Sequence, residues 1–141
     1  MKKHVYLKIL IVLTLGSFLI ACEKNSESEP IKAALVGTWE LSSVQIDGVD
    51  QDLTAYPDYI QFQLNQIYLT YDSPSDVIER GGWSYEGEML NISFDLPAAY
   101  YILLANNQYL NLKRYDFNAE GQLDIRIMQY IRADDSMIPE Q

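Results

Sequence analysis

The chain reads as an all-β fold: eight antiparallel strands, connected up and down and closed into a barrel, behind an N-terminal export segment. Three observations predict it. From residue 37 onward, apolar residues recur at every second position in short runs separated by turn residues, the period of a half-buried strand. No stretch after residue 36 has helical spacing. Finally, sequential hairpin-linked strands pack either as an open sandwich, which exposes edges, or as a barrel, which abolishes them.

Residues 1–21 have the three parts of a cleaved signal peptide. Lys2, Lys3 and Lys8 precede an apolar run, Ile9 to Ala21, that ends on a small residue. The run is 13 residues long, too short for a hydrocarbon core that needs about 20. The only cysteine follows it at once. Leu19-Ile20-Ala21-Cys22 resembles the bacterial lipobox, and the resemblance implies a diacylglycerol on the Cys22 thiol and cleavage in front of it. Each buried methylene contributes about 0.8 kcal/mol, and two or more chains make a stable anchor. The mature protein is therefore expected at a membrane surface without a spanning segment.

Residues 22–31 then form an acidic tether, since Glu-Lys-Asn-Ser-Glu-Ser-Glu-Pro has no large apolar side chain to offset its ordering entropy. Glu23, rather than Asp, follows the cysteine, and the early acidic residues resemble the tethers of Bacteroidota lipoproteins. That likeness implies the cell envelope, at the outer membrane.

The barrel is expected over residues 32–132, with a tail over 133–141. Trp39 and Leu41 share a face, and Val44 and Ile46 continue in the opposite phase, which predicts a bulge near Ser42-Ser43. Ile60, Phe62 and Leu64 alternate before an Asn65-Gln66 turn, and Ile67, Leu69 and Tyr71 follow. Trp83 and Tyr85 lead into Glu86-Gly87-Glu88, a turn whose glycine can take positive φ. Leu90, Ile92 and Phe94 alternate next. Tyr100–Leu104 and Tyr109–Tyr115 flank Asn106-Asn107, and Leu123, Ile125, Ile127 and Ile131 form the longest stripe. The expected inward set is Trp39, Phe62, Leu64, Trp83, Leu90, Phe94 and Ile125. Such large side chains fill the lower half of a small barrel and leave at most a shallow mouth.

Leu35-Val36-Gly37-Thr38-Trp39-Glu40-Leu41 resembles the Gly-x-Trp opening strand of lipocalins, and Gly82 to Leu90 is similar to the central hairpin of small lipocalin-like lipoproteins from Bacteroidota. The likeness covers about residues 32 to 132 and implies a lipocalin-like barrel. In lipocalins an arginine near the barrel's end packs over the opening tryptophan, and Arg132 is the matching position. The pair Trp39 and Arg132 would then close one end; a solvated terminal arginine is the alternative.

Composition excludes several chemistries. Loss of Lys2, Lys3 and Lys8 takes 10 basic residues to 7 against 20 acids, a charge of −13. Nucleic acid would repel such a domain. His4, the one histidine, lies in the signal. The mature chain thus has no Cys/His zinc site, no disulfide, no serine–histidine triad and no thiolate nucleophile. No enzyme activity, metal or cofactor is expected.

Asp47-Gly48-Val49-Asp50-Gln51-Asp52 lacks the later glutamate and glycine order of a calcium loop and reads as a hairpin loop. Asp72 to Asp76 reads likewise, and Glu86 and Glu88 read as turn charges rather than a glycosidase pair. Asp135-Ser136-Met137 resembles the short O-glycan acceptor motif of Bacteroidota envelope proteins, which would place a glycan on Ser136.

Ten of the 11 tyrosines and both tryptophans follow residue 21. Rigid aromatic surface suits sugar, apolar-ligand or protein contacts, although strands also favour these residues for packing alone. Tyr56, Tyr59, Tyr100 and Tyr101 lie where strands meet loops and are the rim candidates; Trp39, Phe62 and Trp83 are the candidates inside. Two functions follow: an envelope binding protein that holds a small apolar molecule or glycan in the barrel mouth, or an accessory subunit docked on an outer-membrane protein complex.

Overall fold

The computed structural model describes residues 28–94 and 97–140. The signal segment and Cys22 lie outside these residues. The strands are β1 (Gly37–Ile46), β2 (Val49–Asp50), β3 (Tyr59–Phe62), β4 (Ile67–Asp72), β5 (Val77–Glu86), β6 (Met89–Ser93), β7 (Ala98–Ala105), β8 (Tyr109–Phe117) and β9 (Leu123–Arg132), preceded by helix α1 (Ser28–Leu35). From β3 to β9 sequential neighbours pair antiparallel, β1 pairs with β3, and β1 also pairs with β9, closing the sheet. The two-residue β2 only folds back along the end of β1, so the wall has eight strands.

The phase change in β1 has the expected cause. Leu41 opposes Tyr130 and Ser43 opposes Gln129, leaving Ser42 as the extra residue of a bulge. Trp39, Leu41 and Val44 are therefore all buried. Gly87 takes φ of 60° at the tip of the β5–β6 hairpin, where a side chain would be strained.

Helix α1 runs across residue 31, where the sequence reading ends the tether, and its last turn leads directly into β1. Its first turn carries Pro30, tolerated where no backbone donor is needed, and Ala33, Ala34 and Leu35 are good helix formers. Leu35 is completely buried, and its carbonyl accepts from the Trp39 indole at 2.8 Å. The helix thereby stoppers one end of the barrel.

Above that end the lumen is dense. Phe62 meets Trp83 edge-on at 5.3 Å and Tyr68 at 5.1 Å, and Tyr68 meets Phe94 at 5.2 Å. Leu90, Ile92, Leu110 and Leu112 belong to the same cluster. Each fully buried side chain of this size contributes about 1.5–3 kcal/mol. The Trp83 indole donates to the Gln63 carbonyl at 3.0 Å, which removes the cost of burying its N–H.

Two expected inward residues face out. Leu64 is 72% exposed because β3 ends at Phe62 and the turn to β4 carries the leucine away. Ile125 is 37% exposed. The Leu123/Ile125/Ile127/Ile131 stripe belongs to the outer face of β9, because register pairs Ile46, on the inner face of β1, with Arg126 and Val44 with Met128. The inner face of β9 is Asp124, Arg126, Met128 and Tyr130.

The C-terminal segment is docked rather than free. Ala133 donates to the Thr38 carbonyl, and a short 3-10 turn, Asp135–Met137, brings Ile138 into a buried position. Asp135 Oδ1 accepts from both the Thr38 backbone N–H, at 3.0 Å, and its hydroxyl, at 2.7 Å. Ser136 is exposed beside it.

Candidate functional site

Up-and-down connection gathers the β1–β3, β4–β5 and β8–β9 loops at the end opposite α1. Asp47 Oδ1 accepts from the Ile125 N–H at 2.9 Å, and Asp58 accepts from both the backbone and the hydroxyl of Ser73. The loop after β1 is thus tied to both sides of the mouth. Its other carboxylates are also committed: Asp50 to Gln45, and Asp52 to the Thr54 N–H of the 3-10 turn Leu53–Ala55. These loop acids hold structure, and no cluster of three or more metal-ligating side chains occurs among the described residues.

Under this loop lies a cavity of about 240 Å³, bounded by Tyr56, Pro57, Thr70, Asp72, Val77 and Glu79. A larger groove of about 470 Å³ lies outside the wall, between the C-terminal segment and outward side chains of β3–β5 such as Gln61, Leu69 and Arg80. Only the first opens toward the lumen.

Tyr56 also borders the most polar part of the lumen. On the inner faces of β8 and β9, Arg114 opposes Arg126 and Asp116 opposes Asp124. Like charges directly opposite are unfavourable, so the relief comes along β8 and on the diagonal to β9. Arg114 Nε lies 2.5 Å from Asp116 Oδ1, while Arg126 Nη2 reaches Asp116 Oδ2 only at 3.5 Å. Asp124 accepts from Asn118 at 3.1 Å. Arg114 stands 5.6 Å from the Tyr100 ring and donates to its hydroxyl at 3.4 Å. Arg126 stands 5.8 Å from the Tyr56 ring. Arg126 Nε and Asp116 Oδ2 are buried without a hydrogen-bond partner.

Below the arginines are two buried tyrosines, Tyr68 and Tyr130. Burial raises the pKa of Tyr68 well above the usual phenol value, with Tyr130, Tyr100 and Glu79 adding to it. Burial likewise raises Tyr130, with Tyr100 adding and Arg126 opposing. Both therefore stay neutral. Burial works against the charge of Arg114, but Tyr100 and Asp116 outweigh it and raise its pKa. The mouth thus sets Arg114 and Arg126, with Asp116 and Asp124 on the same wall, above a neutral phenol layer.

The sequence candidates divide accordingly. Tyr56 and Tyr100 reach the mouth. Tyr59 stacks outside on Tyr71 at 6.3 Å, and Tyr101 meets Tyr115 outside at 5.8 Å. Trp39, Phe62 and Trp83 belong to the packed lower half. Arg132 Cζ lies 4.5 Å from the Trp39 ring. Cys22 lies outside the described residues. The sequence reading missed Arg114, Asp116 and Arg126. Their signal was Arg-x-Asp before the 118–122 turn mirrored by Asp-x-Arg after it, which a hairpin superposes on one face.

A family model described as a lipocalin-like domain matches residues 35–121. Among solved structures, bovine odorant-binding protein with a selenium-containing odorant is similar over 81% of this chain and 78% of its own, at 9% identity and a TM-score of 0.48. The same bovine protein with its natural ligand aligns over 79% and 78%, at 9% identity and a TM-score of 0.48. Its undecanal complex gives 79%, 78%, 9% and 0.47. No curated protein matches the chain.

Proposed function

The chain belongs to the lipocalin-like domain family, and on that premise we propose that it is a binding protein, not an enzyme, which takes a small apolar or amphipathic molecule into the barrel mouth. The division of the lumen carries this reading. Trp39, Phe62 and Trp83 fill the stoppered end, while the loop-covered end keeps a cavity of about 240 Å³ beside Tyr56. Ligand pockets commonly span roughly 300–1,000 Å³, so the guest is small.

We further propose that acyl chains on Cys22 hold this barrel at the cell envelope, at the outer membrane. The 13-residue apolar run and the lipobox-like Leu19 to Cys22 support it. Native mass spectrometry of detergent-extracted full-length protein tests both parts. The expected spectrum has an acyl mass on Cys22 and a retained small molecule of defined mass. A bare thiol would remove the anchor; guest-free protein that also takes up no added apolar molecule would remove the binding role.

A second reading, an accessory subunit of an envelope complex, is favoured by the outer face of β7–β9. There Tyr101, Leu103, Tyr115, Phe117 and Leu123 are exposed, Phe117 by 77%. Apolar surface of this extent on one wall marks an interaction site. A stoichiometric protein in the same spectrum would support this reading.

A further inference from the structure

We infer that the mouth selects a guest with a single anionic oxygen headgroup, a carboxylate in the first instance, and that Arg126 is the residue that binds it. This rests on the binding role proposed above and names the chemistry of that same site.

Unequal pairing of the two arginines is the starting point. Arg114 has a close partner in Asp116 at 2.5 Å and a hydroxyl acceptor in Tyr100. The Arg126 side chain, 27% exposed, makes no hydrogen bond among the described residues: its Nε is buried and unpartnered, and its one carboxylate contact there is at 3.5 Å. A guanidinium in that position costs free energy unless an acceptor reaches it. Its planar fork matches an oxyanion with two parallel hydrogen bonds. Arg114 holds Asp116 Oδ1, and Oδ2 stands 3.5 Å from Arg126 Nη2 without a hydrogen bond, so Asp116 leaves the Arg126 Nε without an acceptor.

The surroundings limit the charge and size of the guest. Asp116 and Asp124 share the β8–β9 wall, and Asp72 and Glu79 line the cavity on the β4–β5 wall across the barrel. A polyanion meets these carboxylates, whereas a monoanion places its one charge on Arg126 and leaves an uncharged body against Tyr56, Pro57 and Val77. The Tyr56 ring lies at 5.8 Å from Arg126 and also bounds the cavity. Tyr56 thus borders both the cation and the cavity, which puts the headgroup site next to the space for the guest's body.

The test compares octanoate, octanol and octylamine, matched in chain and differing in head, by displacement of a fluorescent apolar probe from full-length protein at low salt. Octanoate is expected to compete at least about tenfold more strongly than octanol, since charge-assisted hydrogen bonds are the strong class. Arg126→Gln should remove that advantage; Arg126→Lys, which keeps charge without the fork, should restore part of it. Equal competition by octanoate and octanol, or preference for octylamine, would overturn the headgroup assignment while leaving a binding mouth intact. Probe uptake with no displacement by any of the three also overturns it. A protein that takes up neither probe nor alkyl compound overturns the binding role itself. The wild-type comparison needs no variant, so the test stands even where Arg126→Gln fails to fold.

Discussion

Arg132 lies over the indole of Trp39, its Cζ 4.5 Å from the ring, and it can do so only because Gly37 has no side chain. A Cβ on Gly37 would stand 2.5 Å from Arg132 Nη1 and 2.7 Å from its Cζ, at a φ of +127°. The glycine and the tryptophan of the opening strand are thus parts of one arrangement.

Gly37→Ala is expected to destabilise the barrel by about 1–3 kcal/mol, combining backbone strain with the clash. In an Arg132→Ala background the clash is gone and the penalty should shrink, leaving the strain. Urea midpoints of the four proteins measure this. An equal penalty in both backgrounds would separate the glycine from the arginine. Trp39→Ala and Arg132→Ala should likewise couple by about 0.5–1 kcal/mol, the range for a partly exposed cation over a ring.

Thr38 is fully buried, and two of its donors depend on one carboxylate oxygen of Asp135. Asp135→Ala should cost about 1–3 kcal/mol, the penalty of buried groups left without partners. Asp135→Asn keeps an acceptor oxygen and should recover part of that. Asp134→Ala, which removes an exposed acceptor of the Ser136 N–H, should cost less. Thermal melts of the three would order them. A free C-terminal segment would make all three neutral.

Alkaline pH should unfold the protein through its buried phenols. Tyr68 and Tyr130 have folded pKa values raised above the unfolded value, with burial as the leading cause. Their contribution is therefore complete below about pH 10 and is lost as pH rises above it, by about 1.4 kcal/mol per pH unit for each tyrosine. Absorbance at 295 nm should show both ionising only with loss of the fold. Among the described residues the Tyr130 hydroxyl donates to the weak acceptor Met128 Sδ at 3.7 Å, so Tyr130→Phe should be nearly neutral at pH 7. It should also roughly halve the steepness of the alkaline loss.

Phe117 opposes Leu123 across β8 and β9 on the outer face, 77% and 52% exposed. Phe117→Lys with Leu123→Glu should change stability by no more than about 0.5 kcal/mol. If that face docks a partner, the pair abolishes co-purification and leaves uptake of an apolar probe in the mouth intact. Loss of uptake with retained partner would reverse the assignment of the two surfaces.

Strand number, the bulge at Ser42 and the positive φ of Gly87 were legible in the chain, because the pleat period and turn chemistry are local properties. The approach of Trp39 and Arg132 was legible too, once closure of β1 on β9 was assumed. The facing of β9 was not. Its residues divide cleanly into Leu123/Ile125/Ile127/Ile131 and Asp124/Arg126/Met128/Tyr130, and a period of two defines both sets without saying which one lies inside. Apolar count alone favours the first set. Pairing with β1 and β8 selected the second, because aromatic side chains of other strands already occupy the lower lumen and Asp116 and Tyr100 meet the arginines above them. Hydrophobic alternation belongs to one strand, whereas the sign and space of a barrel interior belong to all eight, so the charged mouth exists only in the closed sheet.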